Sequence, residues 1–270
     1  MKQKDDLCKV MKEFWNQKAR KNAMYYVSTF RPYNEQDPEE FWKWGKILTE
    51  RYLKESGIFF TGEEMVLDLG CGIGRMTKAL AERFAEVYGL DVSEEMINQA
   101  HKNLKDYKNI KLEVGNGKDL SNFGDKMFDL IFSYLTFQHI PDVQITLQYI
   151  REAGRVLKNG GYFYFQANNS SLMSKLRSRL RLRYRIQALI VRMEQSIRKT
   201  PITTKVRSTV ADRPKDLDNP AWTGSRVSIE QIMDACKKGQ LHILNLKGRG
   251  TQYLWVKAVK LPQKDKQGNI

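Results

Sequence analysis

Two aspartates and three glycines, spread over two consecutive apolar runs, are the residues of this chain whose spacing carries the clearest chemistry. Met65 to Leu69 is short, apolar and branched, as expected of a buried parallel strand. It runs into Asp68-Leu69-Gly70-Cys71-Gly72-Ile73-Gly74, after which Met76, Ala79, Leu80 and Phe84 repeat at helical spacing. The pattern is strand, glycine turn, helix. Glycines permit backbone angles closed to other residues and let a ligand approach bare main chain. The helix N-terminus beyond them offers unpaired N–H groups and a partial positive charge. A second strand, Glu86 to Leu90, ends in Asp91, 17 positions after Gly74. An acid at the tip of a second strand can accept both hydroxyls of a ribose. The spacing is Asp-x-Gly-x-Gly-x-Gly, not the G-x-G-x-x-G of dinucleotide binders, and no Lys-Ser/Thr follows, which excludes a phosphate-cradling P-loop.

DLGCGIG followed by YGLDVSEEM resembles motif I and the next motif of the class I S-adenosylmethionine (SAM)-dependent methyltransferases. The resemblance continues through FDLIFSYLTFQHIPD and GRVLKNGGYFYFQ, covers about residues 65–167 and resumes at 226–260. It implies SAM as cofactor, S-adenosylhomocysteine (SAH) as product, and no metal. By the same resemblance Gly70, Cys71, Gly72 and Gly74 surround the methionine part of SAM, and Asp68 orders the loop and orients the cofactor's amino group. Asp91 takes the ribose, and Val92 and Met96 sandwich the adenine. The third strand is followed by Gly115, Asn116 and Gly117. The family often has an acid where Asn116 stands, and Asn can still accept the adenine amino hydrogen through its carbonyl. The backbone of Ser133, Tyr134 and Leu135 lines the sulfonium end. His139 falls where the transferred methyl is expected. A neutral imidazole there can take the proton of an attacking hydroxyl or amine; the alternative is that it only shapes the pocket. Methyl transfer by in-line displacement needs mainly alignment and proximity. The fourth-strand region reads SYLTF, without the asparagine-proline-proline-aromatic motif of DNA or glutamine N-methylation, and the cysteine pair of RNA cytosine-5 enzymes is absent.

These residues need a sheet to hold them. Strands are expected at about 65–69, 86–90, 110–115, 127–133, 161–167, 241–247 and 251–260, and helices at about 74–84, 93–105, 142–157 and 228–238. Alternation of this kind predicts an α/β fold with a seven-stranded, mostly parallel sheet and helices on both faces. The last strand is antiparallel, entered through a hairpin at Lys247-Gly248-Arg249-Gly250. Open α/β sheets bind ligands at the carboxyl ends of their strands, which is where the candidate residues fall. Ahead of the sheet, residues 5–22 read as an amphipathic helix bearing Leu7, Val10, Met11, Phe14 and Trp15, residues 23–38 as a turn-rich aromatic stretch, and Asp37 as the cap of a helix beginning at Pro38. Residues 1–60 form an N-terminal helical cap that either lids the cofactor or only packs on the domain. Tyr25, Tyr26, Arg31 and Tyr33, with Trp222 from later in the chain, are the substrate-pocket candidates. Of the other histidines, His101 is expected at the surface and His242 in a structural role.

A chain of 270 residues with formal charge +15 can bury a substantial core, and its charge suggests an anionic partner. Cys8, Cys71 and Cys236 lie far apart without metal-ligand spacing. The charged start resembles no signal peptide, and no apolar run approaches the roughly 20 residues that span a bilayer. A cytoplasmic protein is expected. The methyltransferase domain is placed at 61–260, with a basic insertion at 168–226 and a flexible tail at 261–270. Between 170 and 215 stand 13 lysines and arginines against Glu194 and Asp212. Lys175 to Ile186 alternates like a strand, but leucine spacing favours a basic helix over about 171–199. Three readings compete for it: a solvated substrate cap, a helix lying on an anionic membrane surface through residues 172–199, or a clamp on an RNA backbone. No RNA-binding module is recognisable, and aromatics are few in the arginine run. The whole reads as a SAM-dependent methyltransferase acting on O or N of a small-molecule, glycan or lipid-linked acceptor, similar in general character to bacterial methyltransferases of metabolite and surface-polysaccharide pathways. The alternatives are an RNA methyltransferase and a SAM-binding interaction protein without catalysis.

Overall fold

The computed structural model describes residues 2–28, 33–170 and 219–262. The basic helix expected over 171–199 and the greater part of the basic insertion lie outside these residues, as do Arg31 and the tail beyond 262. The described chain forms seven strands: β1 (Met65–Leu69), β2 (Glu86–Asp91), β3 (Ile110–Val114), β4 (Phe128–Ser133), β5 (Leu157–Ala167), β6 (Leu241–Lys247) and β7 (Leu254–Lys260). They make one sheet in the order β3-β2-β1-β4-β5-β7-β6. β1 to β5 pair in parallel, and β7 runs antiparallel between β5 and β6. The α/β fold is as expected, antiparallel last strand included.

The helices are α1 (Lys2–Val27), α2 (Pro38–Ser56), α3 (Arg75–Ala81), α4 (Glu94–Asn103), α5 (Val143–Val156), α6 (Pro220–Thr223) and α7 (Ile229–Lys238). The two-residue period of the strands sorts their side chains to two cores. Val66, Val87, Leu130, Phe132, Tyr164 and Trp255 pack with Leu48 and Leu53 of α2 and Met76 and Leu80 of α3. Leu67, Leu69, Ile131, Phe163 and Phe165 pack on the opposite face with Ile145 and Ile150 of α5 and Ile232 and Ala235 of α7. Both faces are covered, so the central strands are mostly apolar and mostly buried, with Asp68 of β1 and Asp129 and Ser133 of β4 as polar exceptions.

Several boundaries differ from the sequence reading. α1 starts earlier and ends later than 5–22, because Asn22 breaks it and restarts it. Asn22 leaves helical geometry (φ −169°, ψ 81°), and its side-chain oxygen accepts the Tyr25 N–H at 3.1 Å, capping a second short segment. Tyr25 and Tyr26 are therefore helical, not part of a turn. α3 stops at Ala81, three residues short of the expected 84. β7 begins at Leu254, so residues 248–253 connect the last two strands, a longer turn than the four-residue hairpin expected. His101 is exposed as expected, whereas His242 is exposed on the edge strand β6 and has no structural burial.

Capping follows the local sequence closely. Asp37 accepts the Glu40 N–H at 3.1 Å at the start of α2, and Gly57 ends that helix in left-handed geometry (φ 62°). α1 is fastened across the sheet's carboxyl edge by Asn16, whose Oδ1 accepts from Ser93 Oγ at 2.8 Å and from the Glu95 N–H at 3.1 Å. The Cys8 thiol donates to the Gly117 carbonyl at 3.4 Å. The cap thus grips the loops that follow β2 and β3.

Candidate functional site

The turn after β1 is built around the tip of β2. The Gly70 and Cys71 N–H groups both donate to the Leu90 carbonyl, at 2.7 and 3.0 Å. Gly70 (φ 83°) admits no other residue: a Cβ there would stand 2.1 Å from Thr136 Oγ1. Thr136 and Ser133 in turn donate their hydroxyls to the Leu69 carbonyl, each at 2.9 Å, tying the end of β4 to the end of β1. Asp91 closes the other side. Its Oδ2 accepts the Gly72 N–H and its Oδ1 the Ser93 N–H, both at 2.9 Å. Burial pushes the Asp91 carboxyl up, and the two N–H donors pull it back down.

These loops enclose a cleft of about 130 Å³ that opens to solvent. Gly70, Cys71, Gly72, Asp91, Val92, Met96, Tyr134, Leu135, His139 and Tyr26 all line it. Gly74, Asp68 and Ser133 lie behind the lining. Gly74 (φ 89°) is the N-cap of α3. Asp68 is 2% exposed and accepts the Thr77 hydroxyl at 2.7 Å. Its carboxyl rises to about 7, chiefly because it is buried. Asn116 is not brought to the cleft. It is exposed, and its side-chain oxygen accepts the Lys118 and Asp119 N–H groups, so it shapes its own turn. The neighbouring Gly115 lines the cleft instead, and Gly117 touches Met11 and Val92 behind it.

Three aromatic rings of the lining, Trp15, Tyr26 and His139, belong to one cluster that includes Trp222. The His139 ring lies 5.3 Å from Trp15 and 5.2 Å from Trp222, and Tyr26 meets Trp222 edge-on at 5.8 Å. Tyr25 and Tyr33 extend this cluster behind Tyr26. Asn22 holds the Tyr33 carbonyl at 2.8 Å. His139 Nδ1 lies 2.7 Å from the Trp222 carbonyl. A carbonyl only accepts, so Nδ1 carries the proton and Nε2 keeps its lone pair, with the Gln138 amide 3.4 Å away. Burial lowers the imidazole pKa to about 4, against the smaller opposing pull of the Trp222 carbonyl. The ring is neutral near pH 7.

Met11, Trp15, Arg75, Met76 and Thr136 also line the cleft and escaped the sequence reading as site residues. Trp15 was visible only as one of the apolar positions of α1. For Arg75 there was a signal: a cation opening a helix stands against the helix dipole.

The donor set suits an adenosyl ligand. Asp91 is an acceptor-only group with spare lone pairs beside bare glycine main chain, as a ribose diol requires, and Met11, Val92 and Met96 supply apolar surface next to it. Among the described residues no cluster of histidine, cysteine or acid side chains is arranged to hold a metal ion.

Sheet order, the antiparallel last strand and the cleft at the strand ends define a protein of the class I SAM-dependent methyltransferase fold. Residues 67–165 match the family profile described as a methyltransferase domain. The chain is 38% identical over 101 residues to a demethylmenaquinone methyltransferase of Tropheryma whipplei, covering 37% of this chain and 40% of the relative. It is 35% identical over 135 residues to a malonyl-[acyl-carrier protein] O-methyltransferase of Coxiella burnetii, covering 49% and 44%. The chain thus spans less than half the length of either relative. The fold is shared with magnesium protoporphyrin IX methyltransferase from Synechocystis PCC 6803, solved with SAH (TM-score 0.57, 13% identity, covering 93% of this chain and 99% of that one).

Proposed function

We propose that the protein moves a methyl group from SAM to an oxygen or nitrogen atom of a small-molecule, glycan or lipid-linked acceptor. The observation that carries this reading is the pairing of Asp91 with the Gly72 N–H in a cleft that Trp15, Tyr26 and His139 also line. SAM, when bound, supplies an electrophilic methyl on a sulfonium. The chain's own part is to hold and align. Asp91 would take the ribose hydroxyls, Val92 and Met96 the adenine, and Gly70, Cys71 and Gly72 the methionyl arm. Tyr134 and Leu135 would border the sulfonium. α1 excludes water from the cleft, because Asn16 and Cys8 bind it to the loops it covers.

His139 is a base of limited strength in this reading. With Nδ1–H committed to the Trp222 carbonyl, Nε2 can receive a proton, but burial makes that nitrogen a weak acceptor. It therefore suits an acceptor that is already acidic, or one that loses its proton late. Tyr25 and Tyr33 support Tyr26 at the acceptor end; Arg31 keeps its proposed place there on sequence alone. Residues 1–60 act as the cap and 61–260 as the catalytic domain. Among the described residues no helix is long and apolar enough to cross a membrane. The basic segment 172–199 is proposed to capture an anionic acceptor or to dock on an anionic membrane.

The relatives named for demethylmenaquinone and malonyl-[acyl-carrier protein] favour a small-molecule or carrier-linked acceptor over RNA. The test is transfer of labelled methyl from SAM into host extract divided into RNA, lipid, protein and small-molecule fractions, with Asp91→Ala as control. Label in the lipid or small-molecule fraction, absent with the variant, supports the reading. Label confined to RNA would overturn the choice of acceptor, and failure to bind SAH in a calorimeter would remove the enzyme reading.

A further inference from the structure

One charged side chain in the cleft wall has two hydrogen-bond donors that nothing among the described residues satisfies. Arg75, the first residue of α3, is 2% exposed and lines the cleft, yet its Nε and Nη1 have no hydrogen-bond partner. A guanidinium is always charged and offers donors in a fixed fork. Burying it with that fork unmatched is costly, and such groups persist where a ligand completes them. Burial also pulls its pKa down, while Tyr134, Tyr52 and Asp68 pull it up.

The fold holds Arg75 in this position. The guanidinium lies 5.4 Å from the Phe41 ring centroid, stacked on α2. α2 comes this close only because residue 45 is glycine; a Cβ there would stand 2.7 Å from both Arg75 Cγ and the Arg75 carbonyl. The aromatic ring supports the group and leaves its Nε and Nη1 donors unmatched.

The sheet order says what that something is. Asp91 ends β2, and Tyr134, which faces Arg75 electrostatically, follows β4; β1 and its glycine turn lie between them. Strands two apart are separated by about 10 Å. A nucleoside whose ribose sits on Asp91 and whose tail crosses the glycine turn brings the end of that tail to Arg75. We propose that Arg75 is the anchor for the α-carboxylate of the cofactor's methionyl arm, pairing with it in forked geometry and making that carboxylate a requirement for tight binding. This rests on the SAM-dependent reading above.

The test is calorimetric binding of three ligands: SAH, its decarboxylated analogue S-adenosyl-3-thiopropylamine, and 5′-methylthioadenosine, which lacks the whole amino-acid arm. Wild type is expected to bind SAH roughly 30- to 100-fold more tightly than the decarboxylated analogue, as loss of a buried charged pair implies. Arg75→Met, similar in shape and uncharged, is expected to lose that factor for SAH and to bind the other two unchanged. Equal wild-type affinity for SAH and the decarboxylated analogue would overturn the proposal, even if the variant fails to fold. So would an Arg75→Met protein that keeps its SAH affinity and shows only a raised KM for the methyl acceptor, which would make Arg75 an acceptor-binding group. Wild type that binds none of the three ligands would instead refute the cofactor reading itself.

Discussion

Replacing Asp68 with asparagine separates what the glycine-turn acid does for the fold from what it does for a ligand. Asp68 is buried behind the cleft with one side-chain partner, the Thr77 hydroxyl at 2.7 Å. Its carboxyl is raised from 3.8 to about 7, first by burial and then by the charge of Asp91, against the Thr77 hydrogen bond and the Arg75 charge. A folded pKa above the unfolded one means that the native state favours the protonated acid. The stability this contributes is complete below the unfolded value near 3.8 and is lost as pH rises towards 7, beyond which the loss levels off. The gap of about three units, at 1.36 kcal/mol each, makes the loss about 4 kcal/mol. Asp68→Asn resembles the protonated acid: its carbonyl still accepts from Thr77, and it cannot ionise. The stability of the variant relative to wild type should therefore grow by about 4 kcal/mol between pH 4 and pH 8, or about 7 °C in melting temperature for a chain of this size. The assay is urea unfolding of the ligand-free proteins at both pH values. If the difference stays constant or moves the other way, the carboxylate is welcome in its ionised form and the burial argument fails. The same substitution should weaken binding of cationic SAM more than of SAH, because the ionised acid helps to hold a positive ligand.

Asp91→Ala should weaken SAH binding roughly 100-fold or more, the worth of two hydrogen bonds to a charged acceptor at about 1.5–3 kcal/mol each; calorimetry giving less than a fivefold change would refute the ribose assignment. Asn16→Leu removes the oxygen that takes Ser93 Oγ and the Glu95 N–H and leaves both donors unmatched. It should cost about 1–3 kcal/mol and speed amide exchange in α1 selectively; uniform exchange across α1 and the sheet would show that α1 does not open as a separate unit. His139, with its pKa lowered from 6.5 to about 4 by burial, contributes stability that is fully present above 6.5 and is lost as pH falls towards 4. Once an acceptor is known, kcat/KM should show no histidine inflection between about pH 5.5 and 8. An inflection near 6.5 that His139→Gln abolishes would mean that the imidazole titrates normally.

The sheet and the glycine turn could be read from the sequence because their causes are local. A buried parallel strand is mostly apolar, as in Met65–Leu69 and Phe128–Ser133 apart from Asp68, Asp129 and Ser133, and a left-handed turn against packed neighbours must be glycine, as at Gly70. Asp91 could be read for the same reason: a strand tip is a fixed place. The misreadings occur where one residue's role depends on a distant element. Asn22 resembles any polar residue in an amphipathic helix until Tyr25 and Tyr33 come round to use its side chain. Asn116 holds the expected place in the chain but turns into its own loop, where its side-chain oxygen accepts the Lys118 and Asp119 N–H groups. Arg75 is the sharpest case. In sequence it is a cation beginning a helix, and α2, approaching over Gly45 and bringing Phe41 to the guanidinium, helps to bury it in the cleft wall. A residue whose burial is set by another helix carries no periodic signal of its own. The site therefore divides by range: the glycine turn and Asp91 are written in two short motifs, and the wall of Trp15, Arg75 and His139 is assembled with α1, α2 and α6 from far apart in the chain.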